Sequence, residues 1–527
     1  MSLRFTRAAL TLLAVTVLAT PAAAQTASED ARITYHVQVT DTDIAADRFR
    51  VRLHVHAPLG PDNAILQFAS TAPGTYQVMD VGRFVENLHA YDAQRNEIPV
   101  ERIGTNQWRI GDPARVNEVS YEVAETWDKP VEEHPIYPMA GTSIEADHVL
   151  FNAHAVLAFP QGLQDVPVRL DLGLLPGWTV ATALPKDAEG FFLAEDYDHL
   201  VDSPILAGTT LTSSTTEVAG TDIEIYAYSA GGGIRADMLL EAMESMLAAA
   251  GSFLDGLPVD RYVFLYHFEG APVQGASYGA WEHSYSSEYV FPDVPWSERY
   301  ASTIKDVAAH EFLHIVTPLN IHSEIIERFN FETPVPSRHL WLYEGVTEWG
   351  AHMSQLRAGI KTPEAYLEEM ARKIAIDRQY FDASTSLEEL ALTSYTDEGH
   401  RQYGNIYMRG ALAAGLLDIR LLELSEGDRD LQDLLLALME RYGKEDPFDD
   451  AGLYGVLAEM TDPAIGDFLQ SYVRDAEPLP FAEYYGKLGI DFVDEASQPR
   501  FVIRTDPTAE QARLRTAWMG GTGTVSR

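Results

Sequence analysis

A change in the spacing of apolar residues, partway along the 527-residue chain, constrains the fold more than any other feature of the sequence. From residue 33 to about residue 206, apolar and polar residues alternate in short segments such as Tyr35 to Val39 and Phe49 to Val55. Alternation with a period of two is typical of strands that bury one face. Residues 30–215 are therefore predicted to form an all-β, sandwich-like domain.

The tract that follows differs in composition. Ala207 to Asp222 is rich in Thr, Ser and Gly and shows neither strand nor helix periodicity, so it is predicted to connect two domains, with a boundary near residue 215. Beyond it, the pattern indicates a strand, a helix and a second strand, at Ile223 to Tyr228, about Ala236 to Phe253, and Tyr262 to Phe268. The chain has become α/β.

Helical periodicity dominates from Ser297 to about Asp475, with a clear helix start at Thr362-Pro363-Glu364. The predicted units after the β domain are an α/β domain at 220–380, an α-helical domain at 381–480 and a C-terminal tail at 481–527. Within the tail, residues 513–527 are expected to be disordered.

The chain begins with a segment typical of a signal peptide. Arg4 and Arg7 precede an apolar run from Ala8 to Ala19, and the small residues up to Ala24 suit cleavage. The run is shorter than the roughly 20 residues that a membrane-spanning helix needs. Residues 1–24 are therefore predicted to be removed on export, leaving a periplasmic or extracellular protein without a membrane anchor.

Composition restricts both the metal chemistry and the partners. The chain has no cysteine, so any metal must be held by nitrogen and oxygen atoms. Asp and Glu number 79 against 38 Lys and Arg, which gives a net charge of -41. Such a surface repels nucleic acid and anionic lipid, so neither is an expected partner. The oligomeric state stays open.

The pentapeptide His310-Glu311-Phe312-Leu313-His314 lies in a window with helical periodicity. Residues four apart share one face of a helix, so both imidazoles can reach one metal ion. This spacing is typical of a zinc site in which the histidines bind the metal and the intervening glutamate is the general base. The sequence predicts one Zn²⁺ per chain on His310 and His314, with Glu311 as base.

Glu344 is the candidate for the third ligand. It follows an apolar Leu-Trp-Leu-Tyr segment that would bury it on a second helix, and a buried carboxylate needs a partner. The alternative is an ordinary surface glutamate. Glu348, one turn later, is a weaker candidate for a carboxylate that orients a ligand imidazole through its distal nitrogen.

These motifs together resemble the glycyl aminopeptidase family of gluzincin zinc metallopeptidases. The resemblance rests on the HEFLH pentapeptide with the later LWLYEGVT segment, and on Thr71 to Tyr76 and Tyr197 to Pro204 in the β domain. It extends from about residue 33 to 480. It implies a thermolysin-like catalytic domain and a peptide substrate with a free N-terminus.

Two further segments receive roles through this resemblance. Gly279-Ala280-Trp281-Glu282-His283 is similar to the family's Gly-Gly-Leu-Glu-His, which implies that Glu282 binds the substrate α-ammonium, with Gly279 and Ala280 as further substrate-binding residues. A carboxylate placed short of the metal can pair with a free N-terminus. The alternative for Glu282 is a solvated loop glutamate.

Tyr407 heads a segment similar to the family's Tyr-Glu-Lys-Gly-Ala, which implies that its hydroxyl donates a hydrogen bond to the tetrahedral oxyanion. Tyr403, one turn earlier, is the alternative donor, and a packing role is the competing interpretation for both. His283 and His322 lie near the motifs, but a site with two histidines and a glutamate needs no fourth protein ligand. Both are expected to line the site.

The chain also departs from the family. Ile315 to His322 differs from the usual sequence after the second histidine, so the specificity pocket can differ as well. Too few residues follow Pro480 for the PDZ domain that members often carry. The resulting prediction is a secreted zinc aminopeptidase that removes small residues such as Gly or Ala. The alternatives are an endopeptidase or dipeptidase with the same site, or a non-catalytic secreted binding protein.

Overall fold

The computed structural model describes residues 31–127, 136–270, 278–495 and 498–521. The predicted signal peptide lies outside the described residues. Across the described ranges, no helix is long and apolar enough to cross a membrane.

The N-terminal part is β-rich, as predicted. Three sheets surround a core that includes Tyr35, Phe49, Phe68, Tyr121 and Phe151. The largest sheet has seven strands, in the order Phe192–Ala194, Val168–Gly173, Ile33–Gln38, Arg48–Val55, Glu118–Ala124, Val85–Tyr91 and Glu97–Ile98. The second sheet has four strands, in the order Thr179–Ala181, Ile205–Gly208, His148–Phe151 and Ser143–Ile144. The third sheet also has four strands, in the order Phe159–Pro160, Ile65–Gln67, Gln107–Ile110 and Val100–Arg102. Short helices in this part are Asp41–Ile44, Pro61–Asn63, Val81–Phe84, Pro113–Arg115, Pro138–Ala140, Ala153–Val156 and Tyr197–Val201.

A mixed five-stranded sheet follows, in the order Thr212–Val218, Thr221–Ser229, Arg261–Glu269, Ser286–Pro292 and Gly279–His283. On one face its aromatic residues Phe264 and Tyr266 share a core with Met243 and Phe312 of two helices, Ala236–Phe253 and Glu298–Leu313. On the other face Val263 and Leu265 pack with Trp127 and Leu150 of the β-rich part. The sheet is therefore covered on both sides, and the β-rich part meets it directly.

The prediction that Ala207 to Asp222 is a connection was wrong. Residues 212–218 form an edge strand that pairs antiparallel with the next strand through a two-residue turn, Ala219-Gly220, in which both φ angles are positive. An edge strand borders solvent, so it tolerates polar side chains that a central strand would have to bury. The boundary between the two parts therefore lies before residue 212.

The rest of the chain is helical and shares one continuous hydrophobic core with the five-stranded sheet. Its helices are Glu324–Glu327, Trp341–Val346, Thr347–Arg357, Pro363–Tyr380, Leu387–Leu392, Asp397–Gln402, Gly404–Leu424, Leu431–Arg441, Leu453–Met460, Pro463–Leu469, Gln470–Arg474, Phe481–Lys487 and Ala509–Trp518. Trp341–Val346 and Gln470–Arg474 are π-helices.

The predicted C-terminal tail is folded as far as the structure describes it, which corrects the expectation of disorder from residue 513. A helix at Phe481–Lys487 leads into the hairpin Ile490–Val493 and Arg500–Ile503. The helix Ala509–Trp518 then buries Leu514 and Trp518 in the main core. Apolar burial anchors this segment to the helical part of the molecule.

Candidate metal centre and active-site cleft

The helix Glu298–Leu313 carries the pentapeptide. Its start is fixed by Ser297, whose Oγ accepts a hydrogen bond from the backbone N–H of Tyr300 at 3.2 Å. Ile304, Ala308 and Phe312 bury one stripe of the helix in the core. His310 and Glu311 lie on its last turn, and His314 follows directly as the C-terminal cap.

Glu344 lies on the π-helix Trp341–Val346, where Trp341, Leu342 and Tyr343 are fully buried. π-Helices are short and uncommon, and they occur frequently at functional sites. Glu344 is only 2% exposed. The structure thus contradicts the alternative of a surface glutamate.

The side chains of these two helices converge. Oε2 of Glu344 lies 3.3 Å from Nε2 of His310 and 3.5 Å from Nε2 of His314. The three ligand atoms all lie within 4.8 Å of one another. Two imidazole nitrogens and one carboxylate oxygen in this arrangement suit a metal that keeps a further position open for a reactant.

Both imidazoles are oriented through their other nitrogen. Nδ1 of His310 donates to Oε2 of Glu348 at 2.8 Å, and Nδ1 of His314 donates to the backbone carbonyl of Thr317 at 2.9 Å. Such partners fix the tautomer and the ring direction of a metal ligand. Nε2 of each ring is thereby directed toward Glu344.

Glu348 is in turn held by a buried cation. Nζ of Lys373 contacts one Glu348 oxygen and lies 3.4 Å from Oε1 of Glu369. Burial alone would raise the pKa of Glu348, but Lys373 and the hydrogen bond from His310 outweigh burial and hold that pKa well below its ordinary range. Glu348, His352 and Glu369 also form a cluster of possible ligands, but the Lys373 ammonium already pairs with both of its carboxylates.

Carboxylates crowd the cleft. Burial raises the pKa of Glu311 to about 8, and burial together with repulsion from Glu344 and Glu311 raises the pKa of Glu282 well above its ordinary value. Burial lowers the pKa of His314 to about 4, which keeps this imidazole neutral. A neutral imidazole beside several carboxylates is the electrostatic environment in which a divalent cation is stabilised.

Glu282 faces the same cleft from the edge strand Gly279–His283. One of its oxygens lies within 4.8 Å of a Glu311 oxygen and of a His314 nitrogen. Ala280 also lines the cleft. Gly279 does not: it packs against the β-rich part, where a Cβ atom at this position would lie 2.4 Å from Cε of Met139.

The β-rich part closes the cleft through Pro73 and Gly74. The indole N–H of Trp281 donates to the carbonyl of Pro73 at 3.0 Å. Gly74 has a φ of +73°, and a Cβ atom there would lie 2.6 Å from Oε1 of Glu282. Only glycine allows the loop this close to Glu282, so the sequence of the first domain helps to fix the position of that carboxylate.

The two tyrosine candidates both reach the cleft but have different neighbours. The Tyr407 ring centroid lies 5.4 Å from that of His310, and its hydroxyl interacts with the carboxylate of Glu344. Tyr403 instead packs against Tyr76, with ring centroids 5.3 Å apart. The two hydroxyls are 3.4 Å apart. Tyr407 is therefore the tyrosine in direct contact with two of the metal-site residues.

These residues enclose a cleft of about 170 Å³, called the metal cleft. It is lined by Gly74, Thr75, Tyr137, Met139, Ala140, Ala280, Trp281, Glu282, His310, Glu311, His314, Glu344, Tyr403 and Tyr407. His283 and His322 lie outside this set. Nδ1 of His283 contacts Asp202, and Nε2 of His322 contacts Glu327 at 2.8 Å.

Sequence reasoning missed three contributors to this site. Thr317 acts through its backbone carbonyl, so its side chain gives no signal. Lys373 is one of several charged residues on an amphipathic helix, and nothing in the sequence distinguishes it. Gly74 lies in a segment that the family resemblance singled out, yet its contact with Glu282 depends on the docking of two domains.

Two parts of the chain match known families. Residues 34–209 match the family described as the Peptidase M61 N-terminal domain, and residues 303–413 match the family described as M61 glycyl aminopeptidase. Together the two ranges include just over half of the chain. No curated protein sequence matches it.

A solved structure has a similar fold. It is the crystal structure of an aminopeptidase N family protein from Idiomarina loihiensis, with a TM-score of 0.76 and a sequence identity of 21%. The similarity covers 88% of this chain and 79% of that chain. The likeness therefore extends over the β-rich, α/β and helical parts together.

Proposed function

Because the chain belongs to the M61 glycyl aminopeptidase family and is a peptidase, we propose that it is a zinc-dependent aminopeptidase that removes small N-terminal residues such as Gly or Ala. One observation carries this proposal. His310, His314 and Glu344 converge in one buried cleft with Glu311 and Glu282.

The ligand set supports zinc as the metal. Two imidazoles and a carboxylate are a common catalytic zinc set, and the chain has no thiolate to offer. Zinc bound there would act as a Lewis acid on the substrate carbonyl and acidify the attacking water. Glu348 and Thr317 keep the two imidazoles in position.

Two residues beside the metal position have catalytic roles. Glu311 takes a proton from the attacking water and returns it to the leaving amine nitrogen. Tyr407 donates its hydroxyl proton in a hydrogen bond to the oxyanion of the tetrahedral intermediate. Its contacts with His310 and Glu344 support this role over the same role for Tyr403.

Glu282 restricts cleavage to the N-terminal residue by binding the α-ammonium group of the substrate. Its carboxylate is buried beside Glu311 and is held in place by Gly74. A substrate α-ammonium would pair with it in a charge-assisted hydrogen bond and relieve the repulsion between the carboxylates. A blocked N-terminus would instead leave Glu282 buried and unpaired, which is costly. Free N-termini are thereby selected.

Export is the remaining part of the proposal. The basic residues Arg4 and Arg7, the short apolar run and the small residues before Gln25 support cleavage of a signal peptide and a periplasmic or extracellular location. N-terminal sequencing of the protein from a culture fraction tests this: a mature N-terminus near Gln25 is expected, and an intact Met1 would contradict it.

The test of function uses aminoacyl p-nitroanilides and N-acetylated peptides, with and without a chelator. Hydrolysis of glycyl and alanyl substrates that stops with the chelator and returns with Zn²⁺ is expected. The variant Glu311→Gln should bind one zinc but lose hydrolysis. Cleavage of acetylated peptides would instead indicate an endopeptidase, and hydrolysis of dipeptides alone a dipeptidase. No hydrolysis by the wild type would indicate a binding protein.

A further inference from the structure

A second cleft of about 260 Å³ adjoins the metal cleft, and Gly74, Trp281 and Glu282 line both. We call it the acidic cleft because most of its polar lining residues are Asp and Glu. Since Glu282 stands at the junction, a peptide whose α-ammonium is bound by Glu282 has its first residue at the entrance of the acidic cleft. The cleft is then available to the side chain of that residue.

The walls of the acidic cleft include apolar groups. These are contributed by Pro73, Tyr76, Val201, Trp281, Pro318, Leu319 and Ile326. Walls of this kind suit the aliphatic stem of a long side chain, which stays in apolar contact while a polar end reaches further.

Carboxylates dominate the polar lining. Besides Glu282 they are Glu195, Asp196, Asp198, Asp202, Glu327 and Glu445. Lys444 is the single lysine or arginine among the described lining residues, and its Nζ is held at 2.9 Å from the hydroxyl of Tyr285. The cleft therefore has a large excess of negative charge.

Asp198 lacks a side-chain partner among the described residues and lies close to two other carboxylates, Asp196 and Asp202. Asp202 accepts hydrogen bonds from the backbone of Ser284, and Glu327 lies beside His322. Within the described ranges, the Asp198 side chain has no hydrogen bond or ion pair. Burial and repulsion from Asp196 and Asp202 raise the pKa of Asp198 well above its ordinary value. A cationic group in the cleft would relieve both effects.

We propose that the acidic cleft binds the side chain of an N-terminal lysine or arginine, with Asp198 as the residue that pairs with its charge. Lysyl and arginyl peptides are then substrates alongside glycyl and alanyl ones, which leave the cleft empty. This inference rests on the proposed aminopeptidase function. It adds that, among substrates with a long N-terminal side chain, the enzyme favours those in which this side chain is positively charged.

The test compares lysyl and norleucyl p-nitroanilides, whose side chains have similar stems but differ in charge. Wild-type enzyme should have a kcat/KM for the lysyl substrate at least about tenfold higher than for the norleucyl one, the scale of one charge-assisted hydrogen bond. In Asp198→Asn this ratio should fall about tenfold, while hydrolysis of the alanyl substrate is unchanged. Glu327→Gln should lower the ratio less, since Glu327 already has a partner.

Glu217→Gln is the matched control, because Glu217 is exposed on the edge strand 212–218, outside both clefts. It should leave the ratio at the wild-type value. Equal kcat/KM values for the lysyl and norleucyl substrates, with rapid alanyl hydrolysis, would overturn the inference and leave the aminopeptidase function intact. If no aminoacyl substrate is hydrolysed, both proposals fail.

Discussion

Gly345 and Gly410 are in direct backbone contact: a Cβ atom at Gly345 would lie 2.6 Å from Cα of Gly410. The contact joins the π-helix Trp341–Val346, which carries Glu344, to the helix Gly404–Leu424, which carries Tyr407. Helices approach this closely only where neither has a side chain. The separation of the candidate metal ligand and the candidate oxyanion donor is therefore set by two glycines.

Gly345→Ala and Gly410→Ala should each push these helices apart. We expect a loss of about 1–3 kcal/mol in the free energy of unfolding, typical of overpacking, and a lower kcat because Tyr407 moves relative to Glu344. Thermal unfolding and steady-state kinetics measure both. Gly455→Ala is the control: Gly455 lies in the helix Leu453–Met460 with no heavy atom near its Cβ position, so stability should be unchanged or higher.

Lys373→Met should weaken metal binding, although Lys373 is not itself a candidate metal ligand. The variant leaves Glu348 buried without its cation, so the hydrogen bond that orients His310 is disturbed. Loss of such outer contacts typically lowers metal affinity about 10- to 100-fold. Competition with a chromogenic zinc chelator measures the change.

Lys361→Met is the comparison for Lys373→Met, since Lys361 pairs with Asp306 and His352 but does not contact Glu348. It should retain wild-type zinc affinity. If both variants bind zinc as the wild type does, Lys373 has only a structural role.

Tyr407→Phe should lower kcat with little change in KM or zinc content, because the proposed role of the hydroxyl is to stabilise charge that develops in the transition state. Loss of one oxyanion donor costs about 10²- to 10³-fold in kcat. Tyr403→Phe should have a much smaller effect, since Tyr403 packs against Tyr76. A larger loss in Tyr403→Phe than in Tyr407→Phe would reverse the assignment.

The elements with strong periodicity were predictable from the sequence. The helix Ala236–Phe253 and the helix that starts at Pro363 were confirmed at the predicted positions. The edge strand Thr212–Val218 was missed because its polar side chains resemble a linker, although its β-branched threonines favour a strand. The last helix had a readable start, a capping box of Thr508 and Gln511, that the expectation of a tail overlooked.

The candidate site was predictable to the extent that it is local. His310, Glu311 and His314 are recognisable by their spacing on one helix, whereas Glu344 needed its apolar surroundings and Glu282 the family resemblance. The contacts of Gly74, Lys373 and Gly410 join segments that are distant in sequence, so no local pattern reveals them. An isolated glycine inside a helical pattern, such as Gly345, is a partial signal of close packing.

The buried His154, which lies away from the candidate metal site, predicts how the stability of the protein depends on pH. It is fully buried in the β-rich part, its Nε2 lies 2.9 Å from the carbonyl oxygen of Ala140, and burial lowers its pKa from 6.5 to about 3. Below pH 6.5 the unfolded chain binds a proton here that the folded protein rejects, so stability falls as the pH drops from 6.5 toward 3. Over this range, His154 lowers the free energy of unfolding by about 1.4 kcal/mol for each unit of decrease in pH.

His154→Gln keeps an N–H donor for Ala140 but does not titrate. Urea unfolding at pH 7, 6 and 5 should therefore show the wild type losing stability relative to the variant by about 1.4 kcal/mol per unit below 6.5. His89→Gln is the comparison at an exposed histidine, since the His89 side chain is 47% exposed and pairs with Glu97. Parallel curves for the wild type and His154→Gln would show that a proton enters this pocket without unfolding the domain.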